Sequence, residues 1–365
     1  ADHLLAQPSH QHNRRIVGVA GRVVEEFDGT MRCVWHRASV SLTVSNDSSP
    51  PPAGSAPRPG TIPSMETSPV GVESVPATTS WRATAAAYFA LTKPRIIELL
   101  LITTVPAMVV AADGWPGTWL VIATLIGGSL SAGGANALNS YHDRDIDQIM
   151  ERTSARPLPN SRVTPDRARV FGWVLGVLGF VVLWLTSNLL AGVLSTAALL
   201  FYVFVYTLYL KRATVQNIVI GGAAGAAPAL VGWAAVRGSL DLAAWIMFAI
   251  VFVWTPPHFW ALAVKYKDDY AAAGVPMLPV VAGVEATTRQ MMSYAVIMVL
   301  FSLALIPAAS MGWLYLLTAI GTGGWFVAET IRTHLDPGRA MKLFGVSTIY
   351  LSALFGAMLV DVLVR

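Results

Sequence analysis

Nine stretches of this chain are almost free of charge and long enough to cross a lipid bilayer. They fall at about 96–112, 117–139, 170–186, 189–209, 215–236, 240–264, 291–309, 312–331 and 343–364. The hydrocarbon core of a bilayer takes about 20 helical residues, and each backbone N–H and C=O inside it must find a partner within the segment. Each run therefore reads as a transmembrane helix, and the chain as an all-α integral membrane protein. Composition agrees. Only 13% of the 365 residues are charged and 54% are hydrophobic, where a soluble domain carries about 25% charged residues. The net charge of +4 does not point to nucleic acid, because the basic residues lie in short connections between apolar runs, where they orient a chain in a membrane.

The connections test the count of nine. With the N-terminal side called "in", only Arg237 and Arg365 fall outside, whereas the other seventeen lysines and arginines from Arg82 onward fall inside. One span more or fewer in the middle would scramble that separation. The predicted topology is N-terminus in the cytoplasm and C-terminus out. The long connections, 140–169 and 265–290, are both on the in side, and loops of that kind carry function. Small-residue clusters such as Gly127-Gly128, Gly133-Gly134 and Gly221-Gly222 read as close helix packing rather than as a dimer motif.

Residues 1–80 are different material. The part from Ser45 to Ser80 is rich in Ser, Pro, Thr and Gly, and reads as a disordered, low-complexity extension. Residues 15–44 have short alternating apolar runs suited to a strand or two, but too few to build a core. No secretory signal is present, and Met31 and Met65 are alternative starts. The extension is assigned no catalytic role, and the transmembrane domain is placed at 81–365. The only cysteine, Cys33, excludes an intrachain disulfide and a thiolate metal cluster.

Chemistry concentrates where the second span surfaces. Asn139, Asp143 and Asp147 recur every four residues, so a helix would stack an amide and two carboxylates on one face. Like charges at that spacing repel unless a cation bridges them. Mg²⁺ takes oxygen ligands and commonly shares one or two carboxylates with substrate phosphates, so the pattern suits a Mg²⁺–diphosphate site at a membrane edge. A plain solvated loop is the alternative. A second unusual stretch ends the sixth span: Trp254-Thr-Pro256-Pro257-His258-Phe259-Trp260, followed by Lys265-Tyr-Lys267-Asp268-Asp269. Two prolines in succession should break the helical ladder and kink it. Transporters carry ionisable groups at mid-membrane depth, but here polar residues crowd the in-side edge, as suits an enzyme drawing an apolar substrate from lipid.

Together these motifs resemble the UbiA superfamily of intramembrane prenyltransferases, whose first motif NxxxDxxxD is matched by Asn139, Asp143 and Asp147. Within it the chain is most similar to the haem-farnesylating branch. That likeness rests on Leu91-Thr-Lys-Pro-Arg95, Tyr141–Asp147 with Glu151–Pro159, Lys211-Arg212 with Gln216–Gly222, and Thr255–Trp260, and spans about residues 88–285. The resemblance implies a nine-helix UbiA-type bundle, Mg²⁺ as cofactor, and farnesyl transfer from farnesyl diphosphate to the 2-vinyl group of haem B. It implies Mg²⁺ on Asn139, Asp143 and Asp147 and Lys211 as a further catalytic group. Arg152, Arg156, Lys265, Asp268 and Asp269 would serve the diphosphate, with the arginines open to the haem propionates instead. His258, Asn136 and Trp260 would face the haem. Relatives with a second DxxxD have an acid where this chain has Lys265, so Lys265 or Lys267 would supply a fixed positive charge in place of a second metal. The implied setting is a bacterial plasma membrane rather than a mitochondrial inner membrane, with the site on the cytoplasmic side. The implied partners are the lipid bilayer, haem A synthase and terminal-oxidase assembly proteins. Other readings are a quinone-precursor or chlorophyllide prenyltransferase, or a haem or lipid transporter without chemistry.

The basic-residue asymmetry generates a direct test. With Cys33 replaced, Ser239→Cys should label in intact cells with a membrane-impermeant maleimide, and Ser161→Cys only after permeabilisation. Labelling of Ser161→Cys in intact cells contradicts this topology.

Overall fold

The computed structural model describes residues 17–19, 22–27, 30–34 and 80–365. The chain divides into two compact units, Ala1–Glu73 and Ser74–Arg365. In the first, β1 (Val17–Val19), β2 (Arg22–Phe27) and β3 (Thr30–Val34) form an antiparallel sheet in the order β1-β2-β3. Phe27 pairs with Thr30, so β2 and β3 are linked only by Asp28-Gly29, a dipeptide that favours two-residue hairpins. The strand or two expected within 15–44 is therefore a small three-stranded meander inside an extension read as disordered. Its Ser/Pro-rich remainder, 45–79, lies outside the described residues.

From Ser80 onward the described residues are helical. Short α1 (Trp81–Leu91) precedes α2 (Pro94–Ala112) and α3 (Thr118–His142). Two short helices, α4 (Arg144–Ile149) and α5 (Glu151–Ser154), interrupt the connection to α6 (Pro165–Thr186). Then follow α7 (Leu189–Ala213), α8 (Asn217–Arg237) and α9 (Leu242–Lys265). Beyond α10 (Lys267–Ala272) and α11 (Leu278–Val281) lie α12 (Gly283–Ala309), α13 (Trp313–Leu335) and α14 (Pro337–Leu363). Among the described residues eight helices are long and apolar enough to cross a membrane, and α2 is apolar over Ile102–Ala112. Large apolar side chains such as Trp184, Leu185 and Leu317 are exposed along the spans, as a lipid-facing surface requires. The chain is a multi-pass membrane protein.

Several helices start earlier than their apolar runs. α6 begins at Pro165, a favoured first helical position, and its first turn is polar, with Arg169 paired to Asp166 at 3.2 Å. α12 begins at Gly283, and its first turns hold the Glu285–Arg289 pair at 2.8 Å. Both extra turns are amphipathic, so hydropathy alone hides them. The expected break at Pro256 and Pro257 is not an interruption, because α9 stays helical from Leu242 to Lys265. The two rings remove the N–H donors that the carbonyls of Phe252 and Val253 would otherwise receive.

The bundle is organised around α8 and α9, the most enclosed spans. α8 packs against α2, α7 and α9, and α9 also packs against α12 and α14, while α3 pairs with α6. Glycines let α3 and α6 approach: a Cβ on Gly134 would fall 2.6 Å from the carbonyl oxygen of Gly172, and one on Gly179 2.7 Å from the amide nitrogen of Ser131. Backbone on both sides cannot move aside, so Gly134→Ala should destabilise the bundle by about 1–3 kcal/mol. Gly356 on α14 has open space around its missing Cβ, and Gly356→Ala should stabilise by about 1 kcal/mol. Thermal unfolding in detergent reads both. Equal melting temperatures for the two variants contradict the packing.

Candidate active site

The three residues expected on one face do lie in file, although the helix is interrupted at Asp143, between α3 and α4. Asp143 ends α3 with φ −89° and ψ 3°. Its amide still donates to the Asn139 carbonyl at 2.9 Å, and the Asp147 amide to the Asp143 carbonyl at 2.8 Å. One turn therefore separates each member from the next, across the junction with α4. All three are buried, Asp143 at 0% and Asp147 at 1% exposure.

Buried carboxylates need cations, since an unpaired one costs several kcal/mol. Lys211, at the end of α7, donates to Asp143 Oδ2 at 2.6 Å. Arg156 donates to both oxygens of Asp147 at 2.8 Å. Asn139 Nδ2 donates to Asp143 Oδ2 at 2.7 Å and to Thr207 Oγ1 at 3.1 Å, while Lys93 Nζ donates to Asn139 Oδ1 at 2.6 Å. Burial, and then the nearby Arg156 guanidinium, hold the Lys93 ammonium down to about 7. Lys211 and Arg156 thus balance the two carboxylates, Arg212 lies 3.9 Å from Asp143 Oδ1, and an anion bound here would favour the charged form of Lys93. Asp145 stays outside: it pairs with Arg212 at 2.7 Å, not with Arg144 as its neighbour in sequence suggests, and that bond holds its carboxyl down to about 2. Arg144 instead donates to the Tyr141 carbonyl at 2.7 Å.

The donor set decides what cation suits the place. Asp143 Oδ1 is buried without a hydrogen-bond partner, with the Arg212 guanidinium 3.9 Å away, and the other donor atoms are the oxygens of Asp147 and Asn139, which Arg156 and Lys93 already bind. Among the described residues no three His, Cys, Asp or Glu side chains form a metal cluster. Two carboxylates and an amide fit a hard cation that fills its remaining positions with phosphate oxygens or water.

Below this charged cap lies a cavity of about 250 Å³. One stripe of α3 lines it, from Thr124 through Gly128, Ser131, Ala132 and Ala135 to Asn136. Gly221, Gly222 and Gly225 of α8, Tyr202 and Tyr206 of α7, and Trp254, Thr255 and Phe259 of α9 complete the wall. Phe201–Leu210 of α7 is wound as a π-helix, a form common at functional sites. Its wider turn lets Thr207 Oγ1 donate to the Tyr202 carbonyl at 2.8 Å and still accept from Asn139, while the Tyr202 and Tyr206 rings stack at 5.3 Å.

The second connection reaches the first through Arg152, which donates to Tyr270 Oη at 3.4 Å and lies over the Tyr266 ring at 5.7 Å. Burial raises the Tyr270 phenol above its ordinary value. Lys265 and Asp268 are exposed and Asp269 is half-buried, and among the described residues none of them forms an ion pair with the cap. The residues expected to face a haem diverge. Asn136 lines the cavity, and its Nδ2 donates to the Thr92 carbonyl at 3.0 Å. His258 is stacked between Trp254 and Phe344, each at 4.2 Å, with Nδ1 2.7 Å from Ser347 Oγ. Trp260 is fully buried, edge-on to Tyr294 at 5.5 Å. Neither is among the residues lining the cavity.

Thr207, Tyr202 and Tyr206 did not stand out in the sequence, and Lys93 did so only within the Leu91-Thr-Lys-Pro-Arg95 motif, with no role assigned to it. Lys93 has a left-handed backbone, φ 54° and ψ 63°, uncommon outside glycine. Its anchored Nζ and the clamp of Asn136 on Thr92 maintain it. Its position before Pro94, at a helix start, was the available signal.

The family model "UbiA prenyltransferase family" matches residues 100–355, and the chain belongs to that family. It is 55% identical over 280 residues to a protoheme IX farnesyltransferase of Clavibacter michiganensis subsp. michiganensis, an alignment covering 75% of this chain and 92% of that one. A protoheme IX farnesyltransferase of Frankia alni is 53% identical over 283 residues, covering 76% and 98%. Among solved structures, digeranylgeranylglyceryl phosphate synthase superposes with TM-score 0.65 at 18% identity, covering 77% of this chain and 99% of that one. A UbiA homolog from Archaeoglobus fulgidus bound to DMAPP and Mg²⁺ superposes with TM-score 0.53 at 15% identity, covering 74% and 98%. These two likenesses concern the fold.

Proposed function

We propose that this chain transfers a farnesyl group from farnesyl diphosphate to the 2-vinyl group of haem B, with addition of water, giving haem O. The carrying observation is the cap itself: two buried carboxylates, one with an oxygen that accepts no hydrogen bond, ringed by Lys93, Arg156, Lys211 and Arg212 and set over a cavity. The likeness to protoheme IX farnesyltransferases over most of their length supports haem as the acceptor, and the Archaeoglobus fulgidus structure with Mg²⁺ supports the cation.

Asn139, Asp143 and Asp147 would hold Mg²⁺. When bound, that ion supplies positive charge to the diphosphate oxygens as the allylic C–O bond breaks. Lys211 and Arg156 would turn from the carboxylates to the diphosphate, donating hydrogen bonds where negative charge grows. Such pre-oriented donors in a water-poor site act more strongly than in bulk water. Arg152, held by Tyr270 and Tyr266, would close the diphosphate from the second connection, with Lys265, Asp268 and Asp269 at its outer rim. Tyr202 and Tyr206 present ring faces to the developing allylic cation. The vinyl group would approach along α9, past Phe259 and Trp254, with His258 and Trp260 behind that wall and Asn136 opposite. The membrane would place this site on the cytoplasmic side, with nine spans.

The test is chromatography of haems after incubating purified protein with haem B, Mg²⁺ and farnesyl diphosphate. Haem O should form, and Asp143→Asn should lower turnover by about 100-fold or more, since charge stabilisation of this kind is worth several kcal/mol. Absence of haem O, or full turnover in Asp143→Asn, contradicts the proposal.

A further inference from the structure

The glycines of this bundle divide into two kinds. At Gly127, Gly134, Gly172 and Gly179 an added Cβ would lie within 3.2 Å of a neighbouring helix, and at Gly133 as close to Thr92 in the turn between α1 and α2, so these positions serve packing. Gly128 on α3 and Gly225 on α8 line the cavity, yet an added Cβ at either would meet nothing within 4 Å. Their missing side chains are open bore, not helix contact.

The two lie at different depths. The capped end of the cavity is the end where α3 finishes and α8 begins. At 1.5 Å per residue, Gly225 lies about 12 Å below the start of α8 and Gly128 about 21 Å below the end of α3. One turn beyond Gly128 stands Thr124, also in the cavity wall and 1% exposed, whose Oγ1 has no hydrogen-bond partner. An apolar chain passing Gly128 meets no side chain from α3 at that turn, whereas one continuing to Thr124 meets a branched side chain in the wall.

We propose that Gly225, Gly128 and Thr124 form a ruler for the length of the isoprenoid donor. The two glycines keep the bore open to the depth a farnesyl chain uses, and Thr124 marks its floor. The proposal rests on the reading of the cap as a diphosphate site, since the fixed head is what makes depth measure length. It assigns specificity to residues that touch only the hydrocarbon tail, far from the charged groups.

Equilibrium binding of radiolabelled dimethylallyl, geranyl, farnesyl and geranylgeranyl diphosphates to protein in nanodiscs, with Mg²⁺ and without any haem, separates the two readings. Wild type should bind farnesyl diphosphate. If it binds none of the four, the diphosphate reading itself fails. Gly128→Phe should weaken farnesyl relative to geranyl diphosphate by about ten-fold or more, because excluding a few methylenes is worth that much. Gly225→Phe, the shallower block, should weaken geranyl relative to dimethylallyl diphosphate as well. Thr124→Ala, which trims the branched side chain at the floor, should improve geranylgeranyl relative to farnesyl diphosphate. Gly128→Val gives a milder version of the first effect, and retained binding of the shorter donor in each variant reports a folded site. Unchanged ratios in wild-type-like binders, equal loss of all donors in both Gly128 variants, or a reversed order of Gly225 and Gly128 overturn the ruler.

Discussion

The constraint on which the site depends is the burial of Asp143. A carboxylate at 0% exposure at the edge of a membrane bundle persists only if positive charge is fixed beside it. Lys211 supplies that charge from α7, Asn139 adds a hydrogen bond from the preceding turn, and Arg156 plays the same part for Asp147. These contacts tie α3, α4, α7 and the connection after α5 into one rigid cap. Lys93 ties in the start of α2 through Asn139. The cap is therefore structural before any substrate arrives. Asp143 Oδ1, which accepts no hydrogen bond and has only the Arg212 guanidinium at 3.9 Å, is where it remains chemically unfinished.

The cavity below follows from packing under the same constraint. With α3 and α6 in backbone contact through glycines, α3 turns a stripe of small residues toward α8. The π-wound part of α7 shifts Tyr202 and Tyr206 into the remaining gap. Charge sits at one end of an apolar bore, so a ligand with an anionic head and a hydrocarbon tail is matched along its length.

Much of the fold was legible in the sequence, because a bilayer tolerates few solutions: long apolar runs must be helices, and α2, α3, α6 to α9 and α12 to α14 lie where those runs fall. Amphipathic extensions were not legible. The first turns of α6 and α12 carry Asp166, Arg169, Glu285 and Arg289, which lower hydropathy while pairing with one another. The alternating runs within 15–44 gave the strands, three where one or two were expected, and Asp28-Gly29 was the turn signal for pairing β2 with β3. In the site, the Asn139–Asp143–Asp147 file was legible because helical period alone aligns it. Its cations were legible only as a set, since pairing of Lys211 with Asp143 and of Arg212 with Asp145 spans a separation of 67 or 68 residues. Lys93, Thr207 and the two tyrosines acquire meaning only through the left-handed turn at Lys93 and the π-helix, neither of which residue types reveal. His258 illustrates the reverse: an unusual motif, Pro256-Pro257-His258, whose ring the fold packs between Trp254 and Phe344.

The central claim is that Asp143 and its neighbours hold a cation against a diphosphate. Calorimetric titration of farnesyl diphosphate into the protein, with and without Mg²⁺, tests it most directly. Wild type should bind far more tightly with Mg²⁺, and Asp143→Asn should lose that dependence while binding as weakly as wild type does without the metal. Equal affinity of wild type with and without Mg²⁺, or an undiminished Mg²⁺ dependence in Asp143→Asn, would contradict it.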